Sequence, residues 1–275
     1  MNRRPAATVA IYAAAGVVAV FAVAPFAWMF LTSIKPDGEI FSRNPSLWTG
    51  SPQFGRYVDV LDAGFATALR NSVIVATATT VAGVAVAALA GYALARFDIP
   101  LRRYLLLMVM GVQMFPLVVL IIPLFVVMKA LGLLDSWVGL VVAYLSFTTP
   151  LAVWLLRSFF ETIPKELEEA AMSDGATRFG AMIRVIFPLA GPGLAATAIF
   201  SFIAAWNEFL IALTFINKES LRTLPVALSA YVGQEQADWG AIMAGSVMFT
   251  IPVVIFFLAV HKRLTTGMVA GSVTG

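Results

Sequence analysis

The charged side chains that could do chemistry in this sequence are concentrated in one stretch, residues 164–189. It reads PKELEEAAMSDGATRFGAMIRVIFPL and carries four acids and three bases, in a chain of which only 12% of residues are charged and 60% are apolar. Alanine and glycine lie among these charges and allow a close backbone approach. The chemistry that the stretch supports is therefore binding, as a small-faced helix that enters a groove on another protein.

The residue types that several other functions require are missing. No Gly-Lys dipeptide occurs, so the phosphate-cradling P-loop cannot be assembled, and the chain is predicted not to hydrolyse ATP itself. The absence of Cys excludes thiolate metal sites, and His261 is the only histidine. The net charge of +3 comes from scattered bases, which does not suggest nucleic acid. We expect no enzyme activity and no metal or cofactor in this chain.

Local rules predict two short helices in residues 164–189, separated by a glycine turn. Pro164 suits a first helical position, and the carboxylates that follow favour the positive end of the helix dipole. Gly175 should end the first helix, because glycine accepts the left-handed cap conformation. Thr177 is the predicted N-cap of the second helix, which Pro188 stops or kinks. The predicted apolar faces are Leu167, Ala170 and Ala171 on the first helix, and Phe179, Met182, Ile183 and Ile186 on the second.

This arrangement resembles the coupling loop of binding-protein-dependent ABC importer permeases. The family pattern is Glu-Ala-Ala, three residues, Gly, nine residues, Ile, one residue, Leu-Pro; here it reads Glu169-Ala170-Ala171, Gly175, Val185, Phe187-Pro188. The resemblance implies that residues 164–189, hereafter the coupling segment, contact a cytoplasmic ATPase. The alternative is an amphipathic surface loop with no partner. The implied coupling residues are Glu168, Glu169, Ala170, Ala171, Asp174, Gly175, Ala176 and Pro188.

A second polar group lies late in the fifth of the six apolar runs described below, residues 185–215. Charged side chains are costly at this depth in a membrane. Trp206-Asn207-Glu208-Phe209 resembles a signature of sugar-importer permeases of the maltose-transporter type. That resemblance suggests that Asn207 and Glu208 line the translocation pathway and hydrogen-bond hydroxyls; the alternative is that they tie helices together or lie at the interface. Gln113 in the third run is a further pathway candidate, with a helix-to-helix hydrogen bond as its alternative.

Two further segments match the same type of permease. In the family, the outer loop equivalent to residues 217–238 enters the sugar-binding protein, which implies a docking role for Arg222, Pro225, Tyr231 and Gln234; a plain solvated loop is the alternative. The C-terminal residues resemble the short glycine-containing tail that contacts the ATPase in these permeases. Thr266, Gly267 and Gly271 are the residues implied in that contact.

Six apolar runs predict six membrane-spanning helices, because each reaches the ~20 residues that cross the hydrocarbon and must satisfy its own backbone hydrogen bonds. The predicted spans are residues 6–33, 71–95, 104–128, 136–156, 185–215 and 240–260. We expect an all-α integral membrane protein with one transmembrane permease domain over residues 1–275. The resemblance implies the type I ABC importer permease fold, with a coupling loop at 157–184, an outer loop at 217–238 and a cytoplasmic tail at 261–275.

The distribution of Lys and Arg predicts the orientation. An inside N-terminus puts eleven of the 18 bases in the cytoplasm, and four of the other seven lie in residues 35–70, among several acids. The positive-inside rule therefore places both termini in the cytoplasm. The coupling segment then faces the cytoplasm as well.

The function implied by the resemblance is that of a permease subunit of an ATP-driven sugar importer in the bacterial inner membrane. It forms half of the pathway for a di- or oligosaccharide. Its implied partners are a second homologous permease, two copies of an ATPase that binds ATP and Mg, an extracytoplasmic sugar-binding protein and membrane lipid. The alternatives are an ion-gradient-driven secondary transporter, or an ABC importer permease for a polyol or glycerol phosphate. The sequence does not identify the sugar.

Overall fold

The computed structural model describes residues 5–44, 46–232 and 237–271, and its regular elements over these ranges are helices. In chain order the α-helices are α1 (Pro5–Ser33), α2 (Asp37–Ile40), α3 (Gly55–Val60), α4 (Ala66–Arg96), α5 (Arg102–Val112), α6 (Leu117–Ala130), α7 (Trp137–Thr162), α8 (Glu166–Ser173), α9 (Arg178–Ala181), α10 (Phe187–Leu189), α11 (Gly191–Trp206), α12 (Leu210–Phe215), α13 (Leu224–Val232) and α14 (Trp239–Gly271). Leu61–Phe65 is a kink in which Gly64 has φ +96°, Met182–Ile186 is π-helical, and Glu219–Leu221 is a 3₁₀ turn.

Over the described residues, four helical stretches are long and apolar enough to cross a membrane, and one of them is kinked at Gly64. They are Thr8–Ser33, Gly55–Arg96, Trp137–Thr162 and Trp239–Lys262. The count reaches six if two bent pairs are each taken as one span. The all-α membrane fold expected from the sequence is therefore confirmed, and two of its spans are not straight helices.

The predicted span 104–128 is broken, because α5 and α6 meet at 97° across residues 113–116. Pro116 is the cause: it has no N–H to donate to the turn before it, and it disfavours a helical conformation at Phe115. Gln113 is consequently the C-cap of α5 and not a residue within a helix.

The predicted span 185–215 is also divided. Its first residues belong to the π turn and α10, and the chain bends by 76° before α11 begins at Gly191. Pro192 lies in the first turn of α11, where its missing N–H costs nothing. The bend falls at Ala190, two residues beyond Pro188, so Pro188 itself does not end the helix.

The described residues divide into two compact units. One draws on ranges 1–66 and 227–251, and the other on ranges 67–226 and 252–275. The larger unit contains every residue of the coupling segment and is the one that positions it.

Small residues on α4 allow it to pack closely on α7 in the larger unit. Ala87 and Ala88 are buried there against α7 residues such as Leu156 and Phe160. A Cβ on Gly91 would lie 2.9 Å from the backbone nitrogen of Arg157. Small residues along α4 thus form the face that packs on α7.

Hydrogen bonds at the two ends of the larger unit show how its helices run. At one end Arg102, which begins α5, is ion-paired with Glu161 near the end of α7. At the other end the backbone N–H of Asp135, between α6 and α7, donates to the carbonyl of Phe215 at the end of α12 (3.0 Å). The bent pair of α5 and α6 therefore connects the same two ends as α7, which is the behaviour of a membrane span.

Candidate functional site

The coupling segment folds as two short helices around a glycine turn, as the sequence predicts. Gly175 has φ +92°. Its N–H donates to the carbonyl of Met172, and the N–H of Ala176 donates to that of Ala171, both at 3.0 Å. These two bonds form a Schellman motif, which ends α8 by satisfying its last carbonyls. The turn thus needs a left-handed residue at position 175.

The helix boundaries differ in detail from the prediction. α8 begins at Glu166 with Lys165 as its N-cap, so Pro164 precedes the helix and is not its first residue. The Thr177 hydroxyl accepts a hydrogen bond from the N–H of Gly180 (3.1 Å), which confirms the predicted N-cap of α9.

Glu168 is the one acid of α8 that is buried. Its carboxylate pairs with the guanidinium of Arg96 at 3.0 Å, and these side chains are only 5% and 4% exposed. The hydroxyl of Tyr92 donates a short hydrogen bond to the same carboxylate. Arg96 also donates to the carbonyl of Ile163 at 2.9 Å, which holds the chain between α7 and α8. Because burying a charge is costly unless it is paired, this contact fixes α8 to the end of α4.

A second contact holds the other half of the coupling segment to the same place. The guanidinium of Arg178 lies over the ring of Phe97, 5.0 Å from its centroid. Met182 and Ile186 join the buried cluster that α4 and α7 form. Both halves of the coupling segment are therefore seated on the end of α4.

The outward surface of the coupling segment is small, acidic and apolar. Glu169, Ala170, Asp174, Gly175 and Pro188 are exposed, and Ala171 and Ala176 are partly so. Glu168, the remaining candidate, is instead buried against Arg96 of the same chain. Its carboxylate is therefore not free for a contact with another subunit.

The apolar stripe predicted for the second helix is split between two sides. Met182 and Ile186 are buried, whereas Phe179 is 66% exposed and Ile183 is 43% exposed. Residues four apart still lie on the same side, Phe179 with Ile183 and Met182 with Ile186. The two pairs are offset around the helix, so only one edge of the stripe is buried. Phe179 and Ile183, together with Leu167, which is also 43% exposed, add apolar area to the surface of the coupling segment.

Glu208 and Asn207 lie in the break between α11 and α12. The Glu208 carboxylate accepts the N–H groups of Ile211 (2.8 Å) and Ala212 (3.1 Å), so it caps α12. Asn207 is exposed, and its side chain donates back to the carbonyl of Ile203 (2.9 Å). Glu208 thus caps α12 and Asn207 is exposed, and the predicted pathway role of both residues stays a prediction.

Gln113 makes the helix-to-helix contact that was the alternative to a pathway role. Its side-chain amide donates to the carbonyl of Phe147 in α7 at 2.6 Å. That bond ties the break between α5 and α6 to the middle of α7.

The predicted docking residues are placed as follows. Arg222 pairs with Glu219 at 3.3 Å, and Pro225 lies in the first turn of α13. Tyr231 lines a polar pocket of about 360 Å³ with residues that include Arg56 and Asp238. Gln234 lies outside the described residues.

Sequence reasoning missed the polar residues that hold the loop after α12. The Asn71 side chain donates to the carbonyls of Ser220 and Arg222, both at 2.9 Å. The Asp135 carboxylate accepts the N–H groups of Asn217 (2.6 Å) and Lys218 (3.0 Å). These bonds, from Lys218 first and then Asn217, lower the pKa of Asp135. Each residue is a polar side chain at the edge of an apolar run, which was the available signal.

The predicted C-terminal tail continues α14 up to Gly271. Thr266, Gly267 and Gly271 therefore lie on a helical backbone, and their contact with the ATPase stays a prediction. Residues 253–266 contain no proline or glycine, so no helix-breaking residue interrupts α14 there.

Residues 80–269 match the family model described as the binding-protein-dependent transport system inner membrane component. The chain belongs to this family. Its members are permease subunits of ABC transporters, are not enzymes themselves, and work with an ATPase and a substrate-binding protein. The multi-pass helices and the family agree on the bacterial cytoplasmic membrane as the location of this permease.

Individual permeases resemble this one over nearly their whole length. The sulfoquinovosyl glycerol transport system permease protein of Agrobacterium fabrum is 37% identical, over 96% of this chain and 93% of its own. The trehalose transport system permease protein of Mycobacterium tuberculosis is 38% identical, over 93% of each chain. A crystal structure of a bacterial ABC transporter involved in the import of the acidic polysaccharide alginate matches with a TM-score of 0.77 and 26% identity, over 95% of this chain and 98% of that one.

Proposed function

We propose that this permease imports a di- or oligosaccharide, and that it forms half of the translocation pathway. The named relatives that support a sugar carry sulfoquinovosyl glycerol, trehalose and the polysaccharide alginate. A second homologous permease would supply the other half of the path. The outer loop after α12 would receive the loaded sugar-binding protein.

The coupling segment would be the contact with the ATPase, with one copy of the ATPase under each permease. ATP and Mg²⁺ would be held by those ATPase subunits. In this permease, Glu169, Ala170 and Asp174 would meet the ATPase surface, since they are exposed on α8 and on the turn that follows it. Leu167, Phe179 and Ile183 would add apolar contact area around them.

The observation that carries this proposal is the buried Glu168–Arg96 pair. A displacement of an exposed loop is normally not transmitted to the helices it connects, because loops are mobile and bend locally. Here the loop is joined to α4 by an ion pair at 3.0 Å and a hydrogen bond from Tyr92. Closure of the ATPase pair would therefore tilt α4 and α7 with the coupling segment, and open the pathway outward.

The sugar-binding protein would act by favouring that outward state. A ligand shifts a conformational equilibrium only by its differential affinity for the two states. The loaded binding protein would thus raise ATP turnover, because it stabilises the arrangement in which the ATPase subunits are closed.

The test is reconstitution of this permease with its partner permease, ATPase and binding protein in liposomes. We expect ATP turnover to rise severalfold when the binding protein is loaded with the transported sugar, and not with the unloaded protein. Native mass spectrometry of the same complex should show one copy of each permease and two of the ATPase. Sugar uptake that follows an ion gradient without ATP would overturn the proposal.

A further inference from the structure

A groove of about 500 Å³ lies between α5 and α7, at the end of the larger unit that carries the coupling segment. Its lining combines three arginines with four large apolar side chains. The lining residues are Arg102, Arg103, Leu106, Leu107, Met110, Trp154 and Arg157. None of the individual residues predicted above for coupling or for the translocation pathway lines this groove.

The charges at the head of the groove are not balanced. Arg102 and Arg157 both pair with one carboxylate oxygen of Glu161, the latter at 2.7 Å. Arg103 is exposed and has no carboxylate within ion-pair distance among the described residues. Three guanidinium groups against one carboxylate leave an excess of two positive charges. The Nε atoms of Arg102 and Arg157 are in addition buried without a hydrogen-bond acceptor.

The rest of the groove is an apolar wall open to the outside. Leu107 is 60% exposed and Trp154 is 41% exposed, although both lie within apolar helices. Leu106 and Leu107 follow the arginines by about one helical turn, and Met110 follows by one turn more, so apolar surface runs along α5 away from the charges. A positive head joined to an apolar wall is complementary to an anionic amphiphile, and a free inorganic anion would leave that wall uncovered.

We propose that this groove binds an anionic phospholipid. Its phosphate would lie among Arg102, Arg103 and Arg157, and an acyl chain would cover Leu107 and Trp154. Basic pockets between membrane helices favour anionic head groups. α7 leads within four residues from Thr162 to the start of α8, so a lipid that bridges α5 and α7 would hold the support of the coupling segment in place.

The test measures lipid binding to the reconstituted transporter with its partner subunits. The probes are phosphatidylglycerol, phosphatidylcholine with the same acyl chains, and inorganic phosphate, each followed by native mass spectrometry. We expect phosphatidylglycerol to bind at least tenfold more tightly than phosphatidylcholine, and phosphate not to compete with it at millimolar concentration. Equal binding of the two lipids would overturn the proposal, and efficient competition by phosphate would replace it with a free-anion site.

Two variants locate the binding in the groove. Arg103→Gln should weaken phosphatidylglycerol binding about fivefold, the effect of one basic side chain at an anionic surface. Lys129→Gln, an exposed cation at the end of α6, is the matched control and should leave the affinity unchanged. Equal losses in the two variants would mean non-specific attraction and would contradict the proposal.

A second measurement places the acyl chain and excludes coverage of the groove by the partner permease. Phosphatidylglycerol brominated on its acyl chain should quench tryptophan fluorescence, and Trp154→Phe should remove part of that quenching. The proposal fails if Trp154→Phe leaves the quenching unchanged. It also fails if Leu107→Cys forms an efficient cross-link to the second permease, because the groove would then be a subunit interface.

Discussion

Single residues divide the coupling segment into an inner anchor and an outer contact. Glu168 and Glu169 are adjacent in the sequence, yet Glu168 is buried against Arg96 and Glu169 is exposed. One helical step of about 100° separates the two side chains, which turns one toward α4 and the other away from it. The same substitution at these two acids is therefore expected to change the stability of the protein by different amounts.

Glu168→Gln should destabilise the protein by about 3–5 kcal/mol, because it leaves the Arg96 guanidinium buried without its counter-charge. The matched control, Glu169→Gln, should change stability by less than about 0.5 kcal/mol, as surface substitutions do. Thermal unfolding in detergent measures both. The double variant Arg96→Gln with Glu168→Gln should recover part of the loss; if it is no more stable than Glu168→Gln, the pair is not the cause.

Gly175→Val should abolish transport while the protein still inserts into the membrane. A β-branched residue at φ +92° is strained, at about 1–2 kcal/mol or more, so the Schellman turn would rearrange and displace the outer face of α8. Uptake of the sugar and the amount of membrane-embedded protein are the two measurements. Gly175→Asn is the control, because asparagine tolerates a left-handed backbone, and it should retain much more transport. Normal uptake by Gly175→Val would contradict the role given to this turn.

At the scale of elements, the contact between α4 and α7 depends on the absence of a side chain. A Cβ at Gly91 would meet the backbone nitrogen of Arg157 at 2.9 Å and the carbonyl oxygen of Val153 at 3.2 Å. Backbone atoms cannot move aside without displacing a whole helix. α4 carries Arg96, the anchor for the coupling segment. The close contact at Gly91 therefore determines how closely α7 moves together with α4.

Gly91→Ala should destabilise the protein by about 1–3 kcal/mol through overpacking. Gly111→Ala in α5 is the matched control, since nothing lies within 4 Å of the added Cβ there, and it should be neutral or stabilising by up to about 1 kcal/mol. Thermal unfolding compares the two. A similar loss in both variants would exclude the close contact between α4 and α7 as the cause, because the Cβ added at position 111 meets no other atom within 4 Å.

The turn before α7 should make stability depend on pH. The N–H groups of Lys218 and Asn217 hold the pKa of Asp135 below its ordinary value. A folded pKa below the unfolded value of about 3.9 means that the stabilisation is complete above that pH and is lost as pH falls through the folded pKa. Asp135→Asn, which tolerates the backbone φ of 52°, should show a smaller loss of stability between pH 5 and 3 than the unaltered protein. Identical pH profiles would exclude Asp135 as the titrating group.

At the scale of the whole molecule, the bases that begin and end the helices lie together. Arg96, Arg102, Arg157 and Arg178 are held at the same end of the larger unit by contacts with Glu168, Glu161 and Phe97. The positive-inside rule places that end in the cytoplasm. The coupling segment is at this end, where an ATPase could reach it.

The absence of cysteine allows a direct test of this orientation. Ser173→Cys lies on the exposed side of α8, and Ser51→Cys lies in the segment before α3, also exposed. In intact cells a membrane-impermeant maleimide should label Ser51→Cys only, and permeabilised cells should show both. Labelling of Ser173→Cys in intact cells would reverse the topology and remove the proposed contact with the ATPase.

The amino-acid sequence is enough to predict the class of the protein and the two short helices of the coupling segment around the Gly175 turn. Long apolar runs have one stable form in lipid, the helix, so the all-α membrane fold follows from composition. The Gly175 turn and the Thr177 cap follow from local backbone preferences, which act within a few residues. The Gly175 turn and the Thr177 cap could be predicted because each depends only on residues that are close to it in the sequence.

The packing of the helices decides which acid is the anchor and which partners the polar side chains bind. Glu168 meets Arg96 across 72 positions of sequence, and Glu208 turns back to cap α12 once α11 has ended. Phe179 and Ile183 are exposed while Met182 and Ile186 are buried, although all four belong to one apolar stripe in the sequence. Contacts between distant residues depend on how the helices pack, and the pattern of residues along one helix does not contain that information.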